Sequence, residues 1–155
     1  MAKELAPGDK APAFRLPTDH GEISSSSLKG QPYVLYFYPK DDTSGCTKEA
    51  VAFSEAKRKF TAAGVEIVGI SKDSPESHEK FRKKYTLKIT LGSDSELKVA
   101  HAYGVWVEKS LYGRRYMGME RATFLVDAKG VIRQIWRKVK VPGHVEAVLS
   151  AAKAL

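Results

Sequence analysis

Residues 33–50, YVLYFYPKDDTSGCTKEA, join a compact apolar run to a helix-like segment through a short polar connection. The run YVLYFY is aromatic and β-branched, as a buried strand is. Beyond the connection, Ala50, Phe53, Ala56, Phe60 and Ala63 recur at helical spacing, and Gly64 supplies a C-terminal stop. Strand, connection and amphipathic helix open a β-α-β unit, and VEIVGIS at 65–71 supplies its next strand. SPESHEKFRKKY then starts a second helix, with Ser74 as N-cap and Pro75 at the first helical position.

The remaining segments extend that order. A short stretch around LGSD, 91–94, leads to a helix in SELKVAHAYG, 95–104. ATFLVD and GVIRQIWRKV meet at the turn AKG as two strands of a hairpin, and GHVEAVLSAAKAL closes as an amphipathic helix. At the other end, DKAPAFRLPTDHGEISSSSL reads as two short segments around TDHG, with Ser24–Ser27 a loop or short helical turn. The expected class is α/β: a mixed central sheet flanked by helices, with an N-terminal β-hairpin extension, in one domain spanning 1–155.

Composition narrows the setting. At 155 residues, 43% hydrophobic and 28% charged, the chain suits a single globular core. YVLYFYP is too short to span a bilayer and MAKELAPGDKAPAF has no apolar run of signal-peptide length. One cysteine permits no internal disulfide. These features lead us to expect a soluble cytoplasmic protein with no membrane partner. The net charge of +8 comes from basic residues mixed with acidic and apolar ones, so specific nucleic-acid binding is not expected. The four histidines, His20, His78, His101 and His144, show no metal-ligand spacing, and surface or capping roles are expected for them.

Cys46 lies in the first turn after the connection, where free backbone N–H groups and the positive pole of a helix dipole meet. Such an address favours a thiolate, although a free cysteine also serves simply as a small buried hydrophobe. Pro39, Thr43 and Cys46 stand as P-x-x-x-T-x-x-C. A threonine hydroxyl donates to one oxygen while accepting from another, and proline shields a thiolate without offering a competing N–H. Each also has a structural use, Pro39 as strand terminator and Thr43 as loop or cap; the joint spacing is the specific signal.

On these residues the chain resembles the peroxiredoxins, specifically the Q-type group also called bacterioferritin comigratory protein. The resemblance rests on GDKAPAFRLP, YVLYFYPKDDTSGCTKEA, YGVW, YGRRYMGMERATFLVDAKG and VKVPGH, running from Gly8 to His144. It implies a thioredoxin-like fold and peroxide reduction by a peroxidatic cysteine at Cys46. The family's other active-site positions map to Pro39, Thr43 and Arg121, the last just ahead of a core strand. Two departures stand out. The family's TPGCT reads TSGCT, where Ser44 is expected to cap the helix. A resolving cysteine, often five residues after the peroxidatic one, is replaced by Val51, and the alternative site around KFRKK has none either.

The expected activity is therefore a one-cysteine, thiol-dependent reduction of hydrogen peroxide and organic hydroperoxides through a sulfenic acid. It requires no metal, haem or flavin. An external donor has to recycle the cysteine: thioredoxin, glutaredoxin with glutathione, or a small thiol. A monomer or weak dimer is expected. The alternative is a redox-sensing binding module that signals through oxidation of Cys46. Disulfide exchange is weaker because the loop lacks a second cysteine, and a cysteine hydrolase would need a histidine from elsewhere.

Overall fold

The computed structural model describes residues 4–155. The chain opens with a two-stranded antiparallel hairpin, β1 (Arg15–Thr18) and β2 (Gly21–Ser24), followed by a 3-10 turn at Ser26–Leu28. There follow β3 (Tyr33–Phe37), α1 (Ser44–Ala62), β4 (Glu66–Ser71), α2 (Pro75–Tyr85), β5 (Thr90–Ser93) and α3 (Lys98–Ala102). A second hairpin, β6 (Trp106–Leu111) and β7 (Arg114–Met119), precedes β8 (Ala122–Val126), β9 (Ile132–Trp136) and α4 (His144–Lys153).

The central sheet runs β5-β4-β3-β8-β9, with β3, β4 and β5 parallel and β8 and β9 antiparallel to their neighbours. Parallel neighbours require crossovers, and α1 and α2 supply them. Every residue of β3 and β8 is buried, as strands covered on both faces must be. On one face Val34 and Tyr36 pack with Phe53 and Phe60 of α1, Phe81 of α2 and Val148 of α4. On the other, Leu35 and Phe37 pack with Phe14, Leu16, Tyr103 and Phe124. The N-terminal hairpin thus completes the second core layer, with Leu16 buried.

The α2 start behaves as its sequence implies: Ser74 Oγ accepts from the Ser77 N–H at 3.1 Å, and Pro75 begins the helix. Gly64 ends α1 at φ +77°, a conformation only glycine adopts without strain. Two expectations need correction. LGSD is no mere connection, because Leu91, Gly92 and Ser93 pair with β4 as an edge strand. The helix in SELKVAHAYG shrinks to Lys98–Ala102, since Leu97 adopts φ +62° and the Asp94 carboxylate takes the Val99 and Ala100 N–H groups. Among the described residues no helix is long and apolar enough to cross a membrane.

Candidate active site

The site forms where β3 ends and α1 begins. Tyr38–Thr43 connect them, and α1 starts with Ser44, which places Cys46 in the first helical turn. Ser44 does not cap the helix as TSGCT suggests. Thr43 is the N-cap residue, at φ −94° and ψ 157°, and Ser44 occupies the first helical position, where a proline fits equally well. Thr43 makes no side-chain cap either; its hydroxyl donates to the Lys40 carbonyl at 2.9 Å. Among the described residues no side chain therefore caps the first-turn N–H groups beside the sulfur. Thr43 is exposed, Pro39 half-buried, and Cys46 only 1% exposed.

Arg121 reaches this turn from the residue before β8. Because β8 pairs with β3, Ala122 lies opposite Phe37 and delivers Arg121 to the same end of the sheet. Its Nη2 donates to Cys46 Sγ at 3.3 Å and its Nη1 donates to Glu49 Oε1 at 2.7 Å. Guanidinium geometry explains the double contact, since one planar fork presents separate donors to the two groups. Gly45 makes room for it: a Cβ there would lie 3.1 Å from Arg121 Nη2.

Glu49 went unnoticed in the sequence. It lies three residues after Cys46, on the α1 face shared with Ala50 and Phe53, so a carboxyl at that spacing has to enter the core. Burial raises its pKa to about 7, against the opposing pull of Arg121. Its Oε2 and the Tyr36 hydroxyl are both buried without hydrogen-bond partners among the described residues. Burial, with the charges of Glu49 and Cys46, pushes the Tyr36 phenol well above its ordinary value. The N-terminal end of α1 is thus lined by a guanidinium, a poorly solvated carboxyl and a neutral phenol.

The histidines divide. His20 and His101 are exposed, whereas His78 and His144 are buried, contrary to the expected surface or capping roles. His144 starts α4 but turns its ring inward, with Nε2 2.8 Å from Thr123 Oγ1 and edge-on contacts to Phe53 and Trp136. Burial, and then Arg121, lower its pKa to about 4. It is therefore neutral near pH 7.

The AhpC/TSA family profile matches residues 7–135. The "Putative peroxiredoxin bcp" of Coxiella burnetii is 53% identical over 143 residues, covering 92% of this chain and 95% of that protein. The chain is a peroxiredoxin of the AhpC/TSA family. Peroxiredoxin Bcp of Bacillus subtilis is 47% identical over 147 residues, 94% of each chain. Among solved structures, the bacterioferritin comigratory protein of Xanthomonas campestris, described for its alkyl peroxide reduction activity, superposes with a TM-score of 0.88. It is 39% identical, and the match covers 99% of this chain and 98% of that one. The Q-type resemblance and the thioredoxin-like fold are both borne out. This peroxiredoxin is a thiol-dependent peroxidase, an oxidoreductase, and its one cysteine fits the 1-Cys description.

Proposed function

We propose that Cys46 is the peroxidatic cysteine, with Arg121, Thr43 and Pro39 forming its site, and that an external thiol recycles it. The observation that carries this reading is the Arg121 Nη2 donor 3.3 Å from Cys46 Sγ, in the first turn of α1. A fixed cation and unspent N–H groups stabilise a negative sulfur and then the charge that moves onto the leaving oxygen. The thiolate attacks the terminal oxygen of a hydroperoxide. An S–O bond forms as the O–O bond breaks, leaving a sulfenic acid and an alkoxide or hydroxide, which takes a proton from solvent. Thr43 offers its hydroxyl to the peroxide once it leaves the Lys40 carbonyl, and Pro39 limits water at the sulfur.

With no second cysteine in the chain, the sulfenic acid condenses with an external thiol, releasing water and forming a mixed disulfide. A second thiol then displaces Cys46 and leaves as the disulfide. Alkyl hydroperoxides, the substrates named for the Xanthomonas relative, join hydrogen peroxide as the proposed substrate class. The donor is a thioredoxin-like protein or a small thiol. The β6–β7 hairpin supports an acidic protein donor: it exposes Leu111, Tyr112, Tyr116 and Met117 beside Lys109, Arg114 and Arg115, and Lys109 interacts electrostatically with both Arg121 and Cys46. Residues 1–155 act as one domain, as a monomer or weak dimer, in the reducing cytoplasm. Peroxide consumption with thioredoxin, glutaredoxin plus glutathione, and dithiothreitol in parallel tests the reading. Stoichiometric oxidation without turnover by any of them would leave only a sensor.

A further inference from the structure

Lys109 approaches the site from the β6–β7 hairpin. It stands directly opposite Tyr116, and residues paired in this way share a face. That face carries Val107, Lys109 and Leu111 of β6 with Tyr116 and Gly118 of β7, while Trp106 and Met119, on the other face, pack into the core. Gly118 makes room for the lysine stem: a Cβ there would lie 3.2 Å from Lys109 Cδ, 3.5 Å from its Cε and 3.4 Å from Tyr116 Cε2. Lys109 is accordingly half-buried, with its methylenes laid over the glycine beside the Tyr116 ring.

The ammonium interacts electrostatically with Cys46, Arg121 and Glu120, yet the acids around it are engaged by arginines. Glu49 pairs with Arg121 at 2.7 Å, Glu108 with Arg115 at 3.6 Å and Glu120 with Arg137 at 3.5 Å. Among the described residues the Lys109 ammonium makes no ion pair or hydrogen bond of its own. Burial, and then Arg121, lower its pKa against the pull of Cys46 and Glu120. A half-buried cation beside a second cation, with the neighbouring acids already taken, carries a cost that an anion arriving from solution would offset. Hydrogen peroxide and neutral alkyl hydroperoxides bring no such anion. A hydroperoxide that bears a carboxylate does.

We propose that Lys109 is a specificity-determining residue that reads the charge of the peroxide, favouring hydroperoxides that carry a carboxylate over neutral ones of the same shape. The proposal rests on Cys46 being the peroxidatic residue. The substrate class is an alkyl or aryl hydroperoxide whose carboxylate faces Lys109 while its terminal oxygen faces the sulfur. Its hydrocarbon part lies along Tyr116 and Leu111, which the same face exposes. The S–O bond forms as the O–O bond breaks, and the leaving alkoxide takes a proton from solvent; the carboxylate is neither oxidised nor reduced.

Two probes with the same peroxide group isolate the effect: cumene hydroperoxide, which is neutral, and the same molecule with a carboxylate on the ring para to the hydroperoxide-bearing carbon. Oxidation of Cys46 in the full-length protein is followed at neutral pH by stopped flow for each, and intact mass confirms one added oxygen. The ratio of the two second-order rates is the readout, because any change in the thiolate itself cancels from it. In Lys109→Met, which keeps an apolar stem, the ratio should fall about fivefold, the upper end of the scale for a partly exposed ion pair, and Lys109→Arg should hold it near wild type. Raising the ionic strength should lower the ratio more steeply in wild type than in Lys109→Met. Lys109→Gln gives the same reading if Lys109→Met does not fold. A ratio equal to wild type in the folded variant, even with both rates reduced together, overturns the role of Lys109. A wild-type Cys46 that gains no oxygen from either probe instead overturns the assignment of the peroxidatic residue, and the proposal with it.

Discussion

Arg121 and Glu49 form an ion pair at 2.7 Å in which the carboxylate is fully buried and its second oxygen has no partner among the described residues. Glu49 therefore fixes one arm of the guanidinium, and the other arm falls on Cys46 Sγ. Arg121→Lys keeps a positive charge but not the fork, so one ammonium cannot serve both groups in this geometry. Peroxide oxidation of Cys46 should slow about tenfold or more, the scale for loss of one transition-state donor, with the fold retained by circular dichroism. An unchanged stopped-flow rate would remove Arg121 from the site.

Gly45→Ala tests the same arm from the other side. The new Cβ would meet Nη2 at 3.1 Å, and Arg121 cannot retreat without stretching a contact to Glu49 or to sulfur. Oxidation should slow less than in Arg121→Lys, by about threefold, if a displaced donor keeps part of its interaction. A rate equal to wild type would mean that the guanidinium moves freely.

Glu49 and His144 set opposing slopes of stability against pH. Folding raises Glu49 from 4.5 to about 7, so its stabilisation is complete below pH 4.5 and is lost as pH rises through 7. Folding lowers His144 from 6.5 to about 4, so its stabilisation is complete above pH 6.5 and is lost as pH falls through 4. Between pH 4.5 and 6.5 the two contributions offset each other, at about 1.4 kcal/mol per pKa unit for each group. Glu49→Gln should make stability climb more steeply with pH over that window, and His144→Gln should make it decline. Urea unfolding at pH 4.5, 5.5 and 6.5 reads both, and profiles parallel to wild type would contradict the burial argument.

How much of this was legible depended on the range of the interactions. The β-α-β core, the Ser74 cap and the address of Cys46 follow from local patterning, because strand, helix and turn signals lie within a few residues of one another. The β6–β7 hairpin was missed because WVEKSL and RRYMGM are largely exposed and have no continuous buried face. Arg121 could be mapped only by resemblance, since it lies 75 residues from Cys46 in sequence and reaches it only because β8 pairs with β3. The Asp41–His78 contact crosses between a connection and a helix, so neither residue announces it alone. Glu49 was within reach, at a core position of a helix whose face had already been read.

The sheet beneath the site offers a stability test. Tyr36 lies opposite Gly69 in the parallel β3–β4 register, and a Cβ at Gly69 would come within 2.6 Å of the Tyr36 ring. The ring cannot swing away, because it stacks on Phe53 at 4.6 Å and neighbours Tyr38 at 5.5 Å. Gly69→Ala should destabilise by about 1–3 kcal/mol through overpacking, read from chemical denaturation. A Tyr36→Phe background does not relieve the clash, since the nearest ring carbon remains, whereas Tyr36→Ala does. Failure of that second change to restore packing would move the strain elsewhere.

The single cysteine determines what happens when no donor is present. With Val51 five residues after Cys46 and Arg82 in the KFRKK segment, no thiol in the chain can form a disulfide with the sulfenic acid. Arg82 is already engaged, donating to Asp19 from Nε at 2.7 Å and Nη2 at 3.2 Å and tying α2 to the N-terminal hairpin. The sulfenic acid therefore persists, and a second peroxide takes it to sulfinic and a third to sulfonic acid. Intact mass in thiol-free buffer should show one, then two, then three added oxygens on wild type and none on Cys46→Ser. An acidic thiol protein docking at Lys109, Arg114 and Arg115 adds an ionic-strength dependence to recycling, while oxidation by neutral peroxide hardly changes with salt. Arg114→Glu combined with Arg115→Glu should then weaken recycling by that protein without affecting recycling by dithiothreitol. Steady multi-turnover peroxide reduction in buffer free of thiols would defeat the one-cysteine mechanism outright.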